Sequence, residues 1–318
     1  MKNRIISIVS LAVLVGLIGW YLSEPSRRDV LLEQISSVGW GNFFLITLGT
    51  FGFIFFQGFV LKHSVSPYGV KLKFSEHFGI IIVTFFSNYI IPFLGFGVRG
   101  VYLKKKHGLK YKDFSQSLIG VLVIEWSIFA LIAVVAATSL FWSGQPVSYL
   151  LVLLMVGILC GFVFLFAVRP NWVPDFLPLS KIIKGVLADW QSYTNHRKAL
   201  GLVAFYTMLE AICFAFAFVI AYKALFPEVP AAASVFAASL SDLSLIIRIL
   251  PASAGSLEGA LQLAMLPYGL AFSDNLSVAL ITRAALAVIF IPLGPIFFWH
   301  LLKLSNGGAL GGPTTTDL

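Results

Sequence analysis

Apolar runs of about 20 residues recur along this chain, near residues 5–22, 43–61, 117–142, 149–168, 200–222 and 276–301, and nothing else in it restricts the fold as strongly. About 20 apolar residues, rising ~1.5 Å each as a helix, cross a hydrocarbon core of ~30 Å. Only helices and closed barrels satisfy every backbone N–H and C=O at that depth. The runs are continuous rather than alternating, which selects helices over strands. Hydrophobic residues make up 58% of the 318, charged ones only 11%, and 30 are Phe, so the expectation is an all-α, polytopic membrane bundle. The net charge of +8 then reports on loops beside apolar spans and does not predict nucleic-acid binding. Cys160 and Cys213 both fall inside apolar runs and read as small packed residues; no disulfide or zinc pattern is present. The first run follows Lys2 and Arg4, has no A-x-A site after it, and is expected to stay as an anchor helix.

Two apolar regions are irregular, and they carry a repeated motif. Residues 78–98 are interrupted by Asn88, Pro92, Gly95 and Gly97, and residues 231–272 by Pro251 through Gly255 and Ser256. Pro92 is followed seven residues later by Arg99-Gly100 and, 26 residues after Arg99, by Glu125 inside an apolar run. Pro251 is followed seven residues later by Glu258-Gly259 and, 25 residues after Glu258, by Arg283 in another apolar run. The layout is the same with the signs exchanged. An ionisable side chain at bilayer depth costs ~2.5–3.5 kcal/mol on insertion scales, so it is expected to face protein or water.

Loop charges orient these pieces. Of the 22 Lys and Arg, 17 fall in segments 1–4, 62–77, 99–116, 169–199 and 302–318, which the positive-inside rule assigns to the cytoplasm. Both flanks of 78–98 are then cytoplasmic, which predicts a re-entrant hairpin turning near Pro92, Gly95 and Gly97. Continuing the count through 117–142, 149–168 and 200–222 makes residues 231–272 a second hairpin, entered from the opposite side and turning at Pro251 to Gly255. Two oppositely entered hairpins form an inverted repeat, and broken helices at the midplane are where secondary transporters hold their ligands. Both termini are expected in the cytoplasm, with residues 1–302 as the transmembrane domain and 303–318 as a flexible Gly-rich tail.

Other polar residues in apolar sequence carry weaker signals. Glu210 sits mid-run, in a pairing or functional role. Asp242 and Arg248 are six residues apart, off the i, i+4 spacing of a facing pair, so each should find another partner. Asn88 is placed to bond backbone freed by Pro92 or to touch a ligand. Trp20, Tyr21, Trp142, Tyr149 and Trp299 read as interface anchors. Residues 27–40 fit a short amphipathic helix on the outer surface. The basic run Lys104 to Lys106 with Lys110 and Lys112 serves to fix topology or to grip anionic headgroups.

The stretch Asn88-Tyr89-Ile90-Ile91-Pro92-Phe93-Leu94-Gly95-Phe96-Gly97-Val98-Arg99-Gly100, with Glu125 downstream and Leu250-Pro251-Ala252-Ser253-Ala254-Gly255-Ser256-Leu257-Glu258-Gly259, resembles the signatures of the flippase-like transmembrane family named after lysylphosphatidylglycerol synthase. The resemblance spans about residues 5 to 302. Ala252-Ser253-Ala254 departs from it where a more Gly- and Pro-rich turn is expected. Residues 303–318 are too few to hold the synthase domain of the bifunctional members, so aminoacyl transfer is not expected. The resemblance implies an inner-membrane protein that moves a phospholipid or lipid-linked headgroup between leaflets. Its partners would be membrane lipids, anionic or isoprenoid-linked. Arg99, Arg283 and Arg248 would hold a phosphate, a task suited to guanidinium. Glu125 and Glu258 would balance those bases, one of them carrying a proton if transport is proton-coupled. The alternatives are an intramembrane lipid-modifying enzyme of the glycosyltransferase or phosphatase type, or a non-catalytic scaffold. Neither G-x-S-x-G nor G-x-x-x-x-G-K-[ST] occurs, all five His fall in predicted loops or at a span end, and neither cofactor nor metal is expected.

Overall fold

A computed structural model of the protein describes residues 29, 33–90, 94–167, 172, 180–244 and 255–307. Among them every regular element is helical: α1 (Gly39–Val65), α2 (Phe74–Ile90), α3 (Leu94–His107), α4 (Tyr111–Trp142), α5 (Tyr149–Ala167), α6 (Ser180–Thr194), α7 (Arg197–Leu225), α8 (Ala231–Ser244), α9 (Ser256–Met265) and α10 (Phe272–Gly307). Four are long and apolar enough to cross a membrane, over Gly39–Tyr68, Tyr111–Trp142, Arg197–Leu225 and Phe272–Ser305. This is a multi-pass membrane protein. α5 is a shorter apolar helix; the expected tail from 303 begins inside α10, which runs on to Gly307, and the expected span 5–22 and residues 308–318 lie outside the described residues.

Side-chain bonds between helix ends fix how the chain folds back. Gln34, just ahead of α1, donates to Asp274 at the start of α10 (2.8 Å) and accepts from Ser277. Tyr222, near the end of α7, donates to Asn275 (2.8 Å), and Asn275 donates to Gln262 of α9 (2.9 Å). These contacts gather one end of the bundle. At the other, Tyr68 donates to Gln116 at the start of α4 (3.4 Å), Gln116 donates to Asp189 of α6 (2.9 Å), and the Tyr68 ring meets His196 ahead of α7.

α2 and α3 pack against each other as an antiparallel pair. Their base is tied by Glu76, which accepts from Tyr102 (2.9 Å), faces His107 (3.1 Å) and Lys106 (3.5 Å), and caps its own helix by accepting from the Lys73 N–H (3.0 Å). Their inner ends meet where Asn88 accepts from the Gly95 N–H at 2.8 Å. Gly95 and Gly97 therefore fall in the first turn of α3 rather than in the turn between helices, which is reduced to residues 91–93, outside the described set with Pro92. A Cβ on Gly95 would stand 2.3 Å from the Thr84 carbonyl, so a hydrogen is needed there. α8 and α9 also pack against one another, joined through residues 245–254.

Two local devices escaped sequence reasoning. Pro67-Tyr68-Gly69 and Pro267-Tyr268-Gly269 each close a 3-10 turn with a left-handed glycine (φ 81° and 72°) that donates to the residue-66 or residue-266 carbonyl. Each is followed by Phe-Ser-acid opening a helix, where Glu76 or Asp274 accepts the N–H three residues before it (3.0 and 2.9 Å). This is the acid half of a capping box, used at opposite ends of the bundle. The second device is α6, in a segment read as loop. It buries Leu187, Trp190 and Tyr193, leaves Ile183 and Val186 exposed, and seats Tyr193 against Gly120 of α4, where a Cβ would meet the ring at 2.3 Å. An amphipathic helix lying against the bundle's end is the outcome.

Small residues let the long helices approach, as in membrane bundles generally. Gly49 and Gly52 of α1 face Cys213, Phe216 and Ala217 of α7; Gly79 of α2 takes Phe297 of α10, and Gly294 of α10 takes Phe86 of α2. Cys213 is half-buried as a packing residue, but Cys160 is exposed on α5, which corrects its reading as packed. Trp142 and Tyr149 are exposed at helix ends, and Trp299 is exposed eight residues before the end of α10. Of the expected outer-surface helix 27–40, residues 33–37 are helical.

Candidate functional site

The α2–α3 pair packs on α1 and α10, and it lines, together with α1, α4 and α8, a cavity of about 220 Å³. That is far above the roughly 10–15 Å³ that admits one water. Its polar walls come from five helices: Gln57 (α1), Thr84 and Asn88 (α2), Arg99 (α3), Ser117 and Glu125 (α4), and Asp242 (α8). The rest is apolar and aromatic, including Phe85, Phe96, Phe114 and Trp126. The Arg99 guanidinium lies over the rings of Phe96 (5.1 Å) and Phe114 (5.7 Å), a stacking geometry suited to its planar fork. Gly100, beside it, packs its backbone on Phe114.

Behind the cavity wall lies Glu210, 1% exposed. Gln57 donates to its carboxylate at 3.2 Å, and the carboxylates of Glu125 and Asp242 bear on it electrostatically. Asp242 is itself buried and Glu125 half-buried. Two acids that the sequence marked only as isolated intramembrane charges are thus brought to the cavity that holds Arg99 and Glu125.

Glu258 and Arg283 form a separate, direct ion pair at 2.7 Å. Glu258 occupies the third position of α9 and accepts the Gly255 N–H through its other oxygen (2.8 Å), so the carboxylate serves its own helix and Arg283 together. Gly255 has φ 86°, a conformation open chiefly to glycine, and it precedes α9 as the helix cap. A single balanced quartet was expected. Among the described residues Arg99 and Glu125 line the cavity, and Glu258 pairs with Arg283. What joins them is the end of α2, where Asn88 lines the cavity and the next residue, Tyr89, lies within the field of Arg283 and Glu258 and packs its ring 4.3 Å from Phe290. Arg248 and Pro251 lie outside the described residues.

The sequence profile of the family described as the lysylphosphatidylglycerol synthase TM region matches residues 7–294, which takes in both motif copies and every cavity residue. The chain belongs to that family. No curated protein matches it individually. As a lysylphosphatidylglycerol synthase TM-region protein, it is a membrane protein of a family tied to lipid handling, and polar groups from five of its helices line one cavity.

Gln57 and Tyr89 were missed from sequence. Gln57 carried a usable signal, a lone amide inside the apolar run 43–61. Tyr89 carried none, since an aromatic beside a broken helix is ordinary and only its approach to Arg283 distinguishes it.

Proposed function

We propose that this protein moves a lipid with an anionic headgroup between leaflets, the headgroup passing through the Arg99 cavity while its acyl or isoprenyl chains stay in the bilayer. The observation that carries the reading is the cavity itself: a guanidinium, an amide pair and two carboxylates around one space inside a bundle of membrane helices. Arg99 is the phosphate contact in this reading. Arg283, already engaged by Glu258, holds the neighbouring helices in register and is the less direct of the two.

The α2–α3 and α8–α9 pairs are read as re-entrant hairpins entered from opposite faces of the inner membrane, with both termini cytoplasmic. What supports this is that the α2–α3 base is tied at the Tyr68–Gln116–Asp189 end, whereas Gln262 of α9 is tied through Asn275 to the opposite end. Inverted hairpins around a midplane site would allow alternating access.

Reconstitution tests the reading. Protein in liposomes carrying a fluorescent phosphatidylglycerol should expose the inner-leaflet label to an external quencher, with the lipid's mass unchanged. Arg99→Ala should slow this at least ~10-fold, the equivalent of losing one charge-assisted contact of ~1.4 kcal/mol or more. A change in lipid mass would favour an enzyme, and neither movement nor mass change would favour a scaffold.

A further inference from the structure

Carboxylates from two other helices bear electrostatically on Glu210 at mid-span, and an anion site at Arg99 does not by itself explain that arrangement. Glu210 stands 13 residues from the start of α7 and 15 from its end, the middle of a span. It does not line the cavity, yet the polar groups that bear on it from other helices all do: Gln57 from α1, Glu125 from α4 and Asp242 from α8. Cys213, one turn along α7, is its remaining titratable neighbour, and among the described residues α6 and α10 bring no charged group to it.

A second observation points to something that binds here. Thr207 lies one turn before Glu210 on the same face of α7, fully buried, and its hydroxyl has no hydrogen-bond partner. Thr47, Thr50, Thr84, Thr138 and Thr282 each donate to the carbonyl four residues back in their own helix. Thr207 does not close onto its helix in that way, which leaves a donor and acceptor on the side of α7 that carries the acid.

The geometry points to Glu210 as the site of a proton that is taken up when an anionic headgroup enters the cavity and released when it leaves. This rests on the transport reading above. An O–H bond forms on the Glu210 carboxyl as one breaks in a hydronium of the cavity water, and the reverse follows on exit, so no other reactant is consumed. The coupling is electrostatic. An anion arriving between Glu125 and Asp242 adds negative charge beside Glu210, and a proton there removes it. By linkage, anion binding favours the protonated acid by the same factor by which protonation favours the anion. Mid-span burial keeps that interaction unscreened. Gln57 touches the acid from the cavity wall, and its amide serves both states, donating to a carboxylate and accepting from a carboxylic acid.

The test reads protons and lipid separately. Full-length protein in weakly buffered detergent is titrated with short-chain phosphatidylglycerol, and with phosphatidylcholine as the neutral-headgroup control. Uptake approaching about one proton per phosphatidylglycerol bound is expected, with affinity falling about tenfold per pH unit above the acid's titration. Glu210→Gln should bind without proton uptake, and Thr207→Val should bind with a displaced pH profile. In liposomes with the membrane potential clamped, a pH gradient should drive wild-type movement and leave Glu210→Gln unaffected. Phosphatidylglycerol binding by the wild-type protein without proton uptake overturns the inference whether or not the variants fold, and leaves the transport reading standing. Equal uptake with phosphatidylcholine, or drive by a sodium gradient instead, also overturns it. A wild-type protein that binds and moves no lipid overturns the transport reading itself.

Discussion

Glu258 shows how one side chain can answer two demands. Its carboxylate accepts the Gly255 N–H and pairs with Arg283 at 2.7 Å, so Glu258→Gln keeps much of the cap and removes the negative charge that faces a mostly buried guanidinium. Removing one partner of such a pair costs about 3–5 kcal/mol. Reversing both charges should recover only part of this. The pair reforms, but an arginine at the third position of α9 opposes the helix dipole by about 0.3–1 kcal/mol, and the Gly255 N–H loses its acceptor at about 1–3 kcal/mol. Thermal unfolding in detergent should rank wild type above the reversed pair and the reversed pair above Glu258→Gln; full recovery would contradict the capping role. At the other tip, Gly95→Ala forces a methyl against the Thr84 carbonyl and should cost about 1–3 kcal/mol, visible as a lowered melting temperature.

At the scale of an element, the α2–α3 pair has an acid-sensitive base. Burial would raise the Glu76 carboxyl, but the Lys73 N–H, the Tyr102 hydroxyl, His107 and Lys106 outweigh it and hold the group below its ordinary 4.5. His77 beside it is pushed down to about 4 by burial first and then by Lys62 and His63. Both groups sit below their unfolded values, so the unfolded chain binds more protons on acidification and stability present above those values is lost as pH falls. The loss should begin below pH 6.5 as the unfolded chain's imidazole charges while His77 resists, and deepen below pH 4.5 as Glu76 is protonated. Hydrogen exchange in α2 and α3 should therefore quicken over that range, whereas protection unchanged down to about pH 4 would refute it. For α6, Gly120→Ala should loosen the Tyr193 contact and raise protease cleavage within 180–194 without unfolding the long helices.

For the whole molecule, the proposed opposite entry of the α2–α3 and α8–α9 pairs makes a prediction about sidedness. In a background with Cys160 and Cys213 replaced by serine, cysteines at Lys71 and Lys110 should react with an impermeant thiol reagent from one face, and cysteines at Glu228 and Ala271 from the other. Labelling of Lys71 and Lys110 positions from opposite faces would mean that α2 and α3 cross the membrane together as one interrupted span.

Much of this architecture was legible in the order of residues, for a reason that belongs to the bilayer. A medium without hydrogen-bonding partners makes length and apolarity nearly sufficient to place a helix, so the runs at 43–61, 117–142, 200–222 and 276–301 each lie within a long helix. The matched spacing of Pro92 with Arg99 and Pro251 with Glu258 likewise carried the family resemblance. α6 was hidden because its apolar residues are too few for a span and its lysines read as loop. The capping acids Glu76 and Asp274 were hidden because a cap depends on where the helix starts.

The sequence by itself determined that this is a membrane-helical protein, which family it belongs to, and which charges are costly enough to need partners. Only the tertiary structure decided who those partners are: Glu258 with Arg283, and Arg99, Glu125, Asp242 and, through Gln57, Glu210 around one cavity. Burial energy states that a charge must be met, and it depends on composition along one helix. Which group meets it depends on the rotation and depth of separate helices, set by glycine–aromatic contacts such as Gly79 with Phe297 that no single segment encodes.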